Sequence, residues 1–302
     1  MKSSIVFAAL ATSALLARGA AAESKSWAAI KARLPASTAI VVGVDVKAIR
    51  GLPAFPALLG SLYSESRDAK QTADLVKAVC GFDLPSAIAD VTIVANLNEK
   101  GAIVIGLDGL DQNKLVACAD KVLQKSDPKL KLTAKPGKIT EYSLTGEPDK
   151  IYAAWLASDV VAIGTDARSR DQLDALLAGK PAGAELAGYL KSANTSALVW
   201  GGCAVNKDGI KGGSGSVSNA KGALAIAVKV TALSAAGAKE MAADGKKKLA
   251  TRTKSAEQSA PKIAKLLKLV VIEQRGAADL VIEASVPEAD LPALLPAFDK
   301  LF

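Results

Sequence analysis

The sequence predicts an α+β fold, in which a duplicated unit of antiparallel sheet with helices packed on one face follows an N-terminal signal peptide. Short Val- and Ile-rich runs bounded by turn residues alternate with longer segments of helical periodicity. The order of these segments recurs later in the chain, which favours two related halves. We assign residues 1–22 to the signal peptide, 23–182 to the first half and 183–302 to the second.

The N-terminus has the three parts of a secretory signal peptide. Lys2 supplies the positive charge, residues 5–16 are apolar or small, and the run Ala20 to Ala22 precedes Glu23. This apolar run is shorter than the roughly 20 residues that span a membrane. We therefore predict cleavage between Ala22 and Glu23, a periplasmic or extracellular mature chain, and no transmembrane segment within it.

Segments with the sequence pattern of strands alternate with segments of helical periodicity in the first half. A hairpin turn is predicted at residues 98–101. The predicted strands cover residues 38–46, 90–96, 102–107, 139–144, 151–156 and 160–164. The predicted helices cover residues 54–79, 111–124 and 170–177.

The second half repeats this order after a Gly- and Ala-rich join at residues 179–188. The strand at 196–201 echoes the one at 38–43, and a strand at 279–284 leads into a helix at 287–301. The glycine-rich segment 209–222 lacks the spacing of a phosphate-binding loop, which predicts a flexible connection.

The chain contains no histidine, which excludes Ser-His and Cys-His nucleophile pairs and His-containing zinc sites. Ser-x-x-Lys occurs three times, but no Lys-Thr-Gly follows and chance explains the spacing. We therefore predict no catalytic residue, no enzymatic activity and no cofactor. The alternative is a secreted hydrolase that uses carboxylates alone.

Aspartates collect where predicted strands run into helices, at Asp108, Asp111, Asp166, Asp171 and Asp174. Carboxylates at helix starts accept hydrogen bonds from free backbone N–H groups and favour the positive end of the helix dipole. No calcium-loop motif accompanies them. Asp111 and Asp166 stand where caps are needed, so we favour this structural interpretation of the group and predict no metal site.

Three cysteines enter an oxidising compartment, so one pair can form a disulfide and one thiol is left over. Cys80 and Cys118 belong to the same half, which favours this pair and leaves Cys203 free. The alternative is that all three are small buried residues with reduced thiols.

Several segments resemble a family of secreted bacterial proteins of unknown function that is common in myxobacteria. They are Leu34-Pro-Ala-Ser-Thr38, Val44-Asp-Val46, Cys80-Gly-Phe-Asp-Leu84, Gly106-Leu-Asp108, Ile151-Tyr-Ala-Ala-Trp-Leu156 and Asn194-Thr-Ser-Ala-Leu-Val-Trp200. The resemblance implies export, the duplicated α+β fold and a bridge between Cys80 and Cys118. It implies no activity, ligand or cofactor.

Positive charge is concentrated in one stretch. The formal charge is +8, and residues 239–275 carry ten Lys or Arg against four Asp or Glu. A helix over residues 235–258 would hold four lysines on one side with an arginine at its flank. These candidate contacts with an anionic surface are Lys246, Lys247, Lys248, Lys254 and the flanking Arg252. The alternative is a solvated helix face.

The predicted partners are an anionic envelope surface or an acidic protein. Nucleic acid is not predicted, because no aromatic residue lies between Trp200 and Phe298 to stack on bases. The sequence thus predicts an exported, non-enzymatic envelope or extracellular protein that acts by binding or structural interaction.

Overall fold

A computed structural model describes residues 23–97, 101–126, 132–146, 148, 150–164, 167–179 and 181–291. The predicted signal peptide, Asp166 and most of the predicted hairpin turn lie outside these residues. Most of the predicted C-terminal helix also lies outside them. Its described beginning contains a short 3-10 turn at Glu288–Asp290.

The described residues form ten α-helices and twelve strands. The helices are α1 (Lys25–Ile30), α2 (Val46–Arg50), α3 (Phe55–Glu65), α4 (Arg67–Cys80), α5 (Leu84–Ala87), α6 (Gln112–Ser126), α7 (Ala167–Ala178), α8 (Ala184–Ser192), α9 (Ala235–Ser259) and α10 (Pro261–Leu267). The strands are β1 (Ile40–Val44), β2 (Ile88–Ala95), β3 (Gly101–Leu107), β4 (Leu132–Lys135), β5 (Thr140–Leu144), β6 (Lys150–Ala157), β7 (Val160–Gly164), β8 (Val199–Lys207), β9 (Ile210–Ala220), β10 (Ala223–Ala232), β11 (Val271–Gln274) and β12 (Asp279–Pro287).

The α+β class is confirmed, and the described chain divides into two compact units. Unit A consists of residues 23–50 and Leu62–Gly183, and unit B of Gly51–Ser61 and residues 184–291. The strand order is β1-β2-β3-β7-β6-β5-β4 in unit A and β8-β9-β10-β12-β11 in unit B. Neighbouring strands within each unit are antiparallel. The duplication of one half in the other remains a prediction.

In unit A, helices cover both faces of the sheet. The Ser26 hydroxyl of α1 lies 2.7 Å from that of Thr92, which places α1 on the face of Thr92 and its register partner Val104. Leu107 lies on the opposite face, because side chains alternate along a strand. There it belongs to a buried cluster against which Leu115 of α6 packs. The prediction of helices on one face is therefore wrong for unit A.

Unit B has the same two-sided arrangement. Ala242 of α9 packs in a buried cluster with Val228. Leu190 of α8 lies against Gly202 of β8. Through the intervening strand β9, Gly202 aligns with Lys229 of β10, and Lys229 directly follows Val228. Since neighbouring positions of a strand face opposite ways, α8 and α9 lie on opposite faces of this sheet. A sheet with two apolar faces needs cover on both, so helices pack on each side.

Two helical boundaries differ from the sequence prediction. The helix expected at residues 54–79 is divided into α3 and α4, and Ser66 begins the second by accepting the backbone N–H of Ala69 at 3.3 Å. Serine at such a position competes with helix continuation and favours a new N-terminus. Helix α8 begins within the Gly- and Ala-rich join, because Leu186 and Leu190 are buried one turn apart.

The predicted flexible loop at residues 209–222 is instead mostly strand β9. Its glycines permit close approach: a Cβ on Gly213 would lie 2.5 Å from the carbonyl oxygen of Lys229, and one on Gly212 would meet the ring of Tyr189. Glycine in a strand can mark such an approach of backbone or side chain. The segment is therefore glycine-rich because it is closely packed.

Candidate functional site

The predicted basic helix is present as α9, and its beginning agrees with the sequence analysis. Ser234 provides the N-cap, since its hydroxyl accepts the backbone N–H of Gly237 at 3.0 Å. Ala238 and Ala242 are buried against the sheet, so the long polar side chains are left to face outward. Neither α9 nor any other helix within the described ranges is both long enough and apolar enough to cross a membrane.

An open groove of about 690 Å³ runs between α9 and the chain from Leu267 to Glu273. Its apolar lining includes Leu249 from α9, together with Val270 and Ile272 from the opposite wall. Val271 also lines the groove and is 45% exposed. The groove therefore offers apolar surface to a ligand that would cover it.

Three lysines line the groove, and two of them, Lys246 and Lys254, have no ion-pair partner among the described residues. Lys246 and Lys254 line the groove and are exposed. The ammonium group of neither forms a hydrogen bond or ion pair within the described part of the chain. Both acidic residues of the groove have cationic partners: Glu257 lies 2.7 Å from Lys268, and Glu273 lies 3.2 Å from Arg275. The two lysines are consequently available to an anionic ligand.

The structure brings together only part of the predicted contact set. Lys246 and Lys254 line the groove, whereas Lys247, Lys248 and Arg252 do not. At 100° per residue, Lys248 lies on a different side of the helix from Lys246, and its ammonium pairs with Asp244 at 2.7 Å. The prediction that four lysines share one side is therefore wrong.

Sequence reasoning missed the second wall of the groove. Leu267, Val270 and Ile272 come from the end of α10, the following turn and β11. An apolar run at residues 266–272 was visible in the sequence. Its position beside α9 depends on the pairing of β11 with β12, which no local pattern specifies.

A second group of charged side chains surrounds Lys25 in unit A. The Lys25 ammonium donates to Asp159 Oδ2 at 2.7 Å and to Asp108 Oδ1 at 3.3 Å. Asp108 also pairs with Lys47 at 3.3 Å and lies 3.9 Å from Arg50. Two carboxylates thus share the Lys25 ammonium, and one of them, Asp108, has two further cationic side chains close to it.

The cations around Asp108 oppose a role of this residue as a catalytic acid. Burial, the largest single influence, raises the pKa of Asp108, but the contacts with Lys25 and Lys47 outweigh it and hold that pKa below its ordinary value. A general acid near neutral pH needs a raised pKa. The arrangement is therefore that of a structural ion-pair network.

The aspartates that follow the strands are described in part by the structure. Asp111 caps α6, because its Oδ1 accepts the backbone N–H of Lys114 at 2.9 Å. Asp174 lies 3.9 Å from the Arg170 side chain. Within the described ranges, no group of three His, Cys, Asp or Glu side chains is arranged to hold a metal ion.

The cysteines follow the favoured assignment. Cys80 at the end of α4 and Cys118 in α6 form a disulfide with a Cα–Cα distance of 5.4 Å. Cys203 in β8 is a free buried thiol. The bridge joins α4 and α6 of unit A, whereas the residues that line the groove belong to unit B.

Comparison with known proteins gives a likeness in fold. No protein-family model matches the sequence, and a search of curated proteins finds no match. Crystal form III of TP0453 is similar with a TM-score of 0.52 and 11% identity, covering 89% of this chain and 98% of that chain. Crystal forms IV and I give TM-scores of 0.48 and 0.44, at 11% and 9% identity, with 90% and 88% of this chain and 99% and 98% of theirs covered. At this identity the first likeness shows the fold alone.

Proposed function

We propose that this is an exported, non-enzymatic protein of the envelope or the cell exterior, which binds an anionic partner through the groove between α9 and β11. The observation that carries the proposal is the pair Lys246 and Lys254. Both are exposed beside apolar surface, and the acidic residues of the same groove already have cationic partners.

The groove suits a partner that has both negative charge and apolar surface. Lysine ammonium groups on flexible stems act as point charges that meet carboxylates or phosphates in many geometries. Leu249 and the exposed Val271 would lose water on contact, which contributes about 25 cal/mol per Å² of apolar surface covered. The electrostatic part falls with salt, since screening acts over about 8 Å at 0.15 M.

Two observations support export. The N-terminal sequence has the parts of a cleavable leader. The Cys80–Cys118 disulfide is of the kind that persists in the periplasm or outside the cell. The proposed location is therefore periplasmic or extracellular.

The alternative of a carboxylate hydrolase draws support from one observation, the meeting of Asp108 and Asp159 on Lys25. A working pair would need carboxyl groups whose pKa values are pushed apart, with one raised. Contacts with Lys25 and Lys47 lower the pKa of Asp108, and Asp159 is also bound by the Lys25 ammonium at 2.7 Å, so neither carboxyl group has the apolar surroundings that a catalytic acid needs. Binding is therefore the better account of the chain.

Co-sedimentation of the mature chain with lipid vesicles tests the proposal. We expect retention on vesicles of phosphatidylglycerol and phosphatidylcholine at low salt, loss of retention as salt rises, and no retention on phosphatidylcholine alone. Lys246→Gln combined with Lys254→Gln should remove most of the retention. The matched control is Lys207→Gln with Lys221→Gln, which removes equal charge from exposed positions of unit B outside the groove. Equal loss in both variants would contradict the proposal, as would a wild type that binds neither anionic vesicles nor an acidic peptide.

A further inference from the structure

The outer edge of β11 lies along the groove. β11 ends the strand order of unit B, and within the described ranges its strand partner is β12 alone. Val271, Ile272 and Glu273 all border the groove, although successive side chains of a strand point to opposite faces. Residues from both faces of β11 border the groove, and we infer from this that the groove follows the edge of the strand. The N–H and C=O groups along such an edge are a template for another strand.

The two lysines have a spacing that an extended chain can match. Lys246 and Lys254 are eight residues apart, which is about 12 Å along a helix that rises 1.5 Å per residue. In an extended segment, residues i and i+4 share a face and are separated by about 13 Å. Acidic residues at these two positions would each meet one lysine. The residue between them, at i+2, would face apolar surface such as Leu249.

We propose that the groove takes an extended acidic segment of another polypeptide, which adds as a strand to β11 and carries acidic, apolar and acidic residues at i, i+2 and i+4. The inference rests on the proposed function and names the partner. Main-chain hydrogen bonds give affinity in strand addition, and alternate side chains give specificity.

Charge complementarity favours this occupant. Glu257 and Glu273 are paired with Lys268 and Arg275, so an acidic segment meets Lys246 and Lys254 without facing free carboxylates in the groove. A bilayer surface would satisfy the same lysines. It would leave the hydrogen-bonding groups of the β11 edge without partners, whereas a strand satisfies both.

Fluorescence anisotropy with labelled synthetic peptides tests the inference on the full mature chain. The peptide GTETVTETG places both glutamates on one face, and GTETVETTG has the same composition with the glutamates on opposite faces. We expect the first to bind about tenfold more tightly at low salt, the scale of one or two exposed ion pairs. Lys246→Gln with Lys254→Gln should remove the difference, and Lys207→Gln with Lys221→Gln should preserve it.

Amide hydrogen exchange then tests strand addition itself. Binding of the first peptide should slow exchange within residues 271–274, because outward N–H groups acquire acceptors. Equal affinity for the two peptides, or tight binding without slower exchange in β11, would overturn the inference. If the protein is retained on anionic vesicles but binds neither peptide, strand addition fails and the proposed function stands. If it binds neither vesicles nor peptides, both fail.

Discussion

Asp90 Oδ1 accepts the backbone N–H of Ser26 at 2.7 Å, so a residue of β2 caps a helix that lies 64 positions away in sequence. Asp90 Oδ2 accepts the neighbouring N–H of Lys25 at 3.0 Å. Gly106 provides the space, since a Cβ there would lie 2.6 Å from Oδ2. Ser24 occupies the N-cap position itself but makes no side-chain cap bond. Helix α1 therefore depends on a buried carboxylate of the sheet.

Asp90→Ala should lower the free energy of unfolding by about 2–3 kcal/mol, because it leaves the N–H groups of Lys25 and Ser26 without their acceptor. Urea denaturation followed by circular dichroism measures this change. Ser24→Ala is the matched control and should stay within about 0.5 kcal/mol of the wild type. A similar effect of the two substitutions would show that Asp90 does not cap α1.

The Lys25 network should make stability fall at both ends of the pH range. The pKa of Asp108 is lowered from 3.8, so its contribution is present above that pH and is lost as pH falls through the folded pKa. The pKa of Lys25 is raised from 10.5, mainly by the hydrogen bond to Asp159. Its contribution is present below pH 10.5 and is lost as pH rises through the folded pKa.

Asp108→Asn should therefore flatten the acid limb of a plot of unfolding free energy against pH. The groups are partly exposed, so the change at neutral pH should be about 1 kcal/mol or less. Asp171→Asn is the control, since Asp171 is exposed and forms no hydrogen bond or ion pair with other described residues. An acid limb of unchanged slope in Asp108→Asn would contradict the role given to the network.

Removal of the disulfide should destabilise the chain by about 3–4 kcal/mol, because the bridge joins residues 38 positions apart and restricts the unfolded chain. The variant with Cys80→Ala and Cys118→Ala is compared with the wild type by calorimetry, with and without reductant. Reductant should lower the stability of the wild type only. An equal response of both proteins would place the sensitivity elsewhere.

Cys203 should resist alkylation in the folded protein. Burial raises the pKa of its thiol, and little of the side chain meets solvent, so the reactive thiolate is scarce. Iodoacetamide at pH 8 should label Cys203 in urea and leave it unmodified under native conditions, as mass spectrometry would report. Rapid native labelling would show that β8 opens readily.

Local signals in the sequence account for part of the fold. The basic run predicted as a helix over residues 235–258 agrees with α9 almost to its ends, because helix propensity acts within a few residues. The glycines of β9 misled the same reasoning, since their role depends on Tyr189 and Lys229 in other elements. No local pattern marked Asp90 as a helix cap either, because the N–H groups that it accepts belong to a helix distant in sequence.

The groove shows the same division between local and long-range information. The sequence identified Lys246 and Lys254 as basic helix residues, but it also included Lys248, which pairs with Asp244. To distinguish Lys246 and Lys254 from Lys248, one must know which side of α9 packs against the sheet. The opposite wall, from Leu267 to Glu273, depends on the pairing of β11 with β12.

We expect an anionic partner to bind at the groove between α9 and β11. Amide hydrogen exchange of residues 23–302, with and without phosphatidylglycerol vesicles at low salt, tests this binding. We predict slower exchange in peptides covering residues 246–257 and 267–273, with no change in peptides covering α6. The Lys246→Gln and Lys254→Gln double variant should show neither change. Slower exchange elsewhere in the chain, with the groove unaffected, would contradict the account.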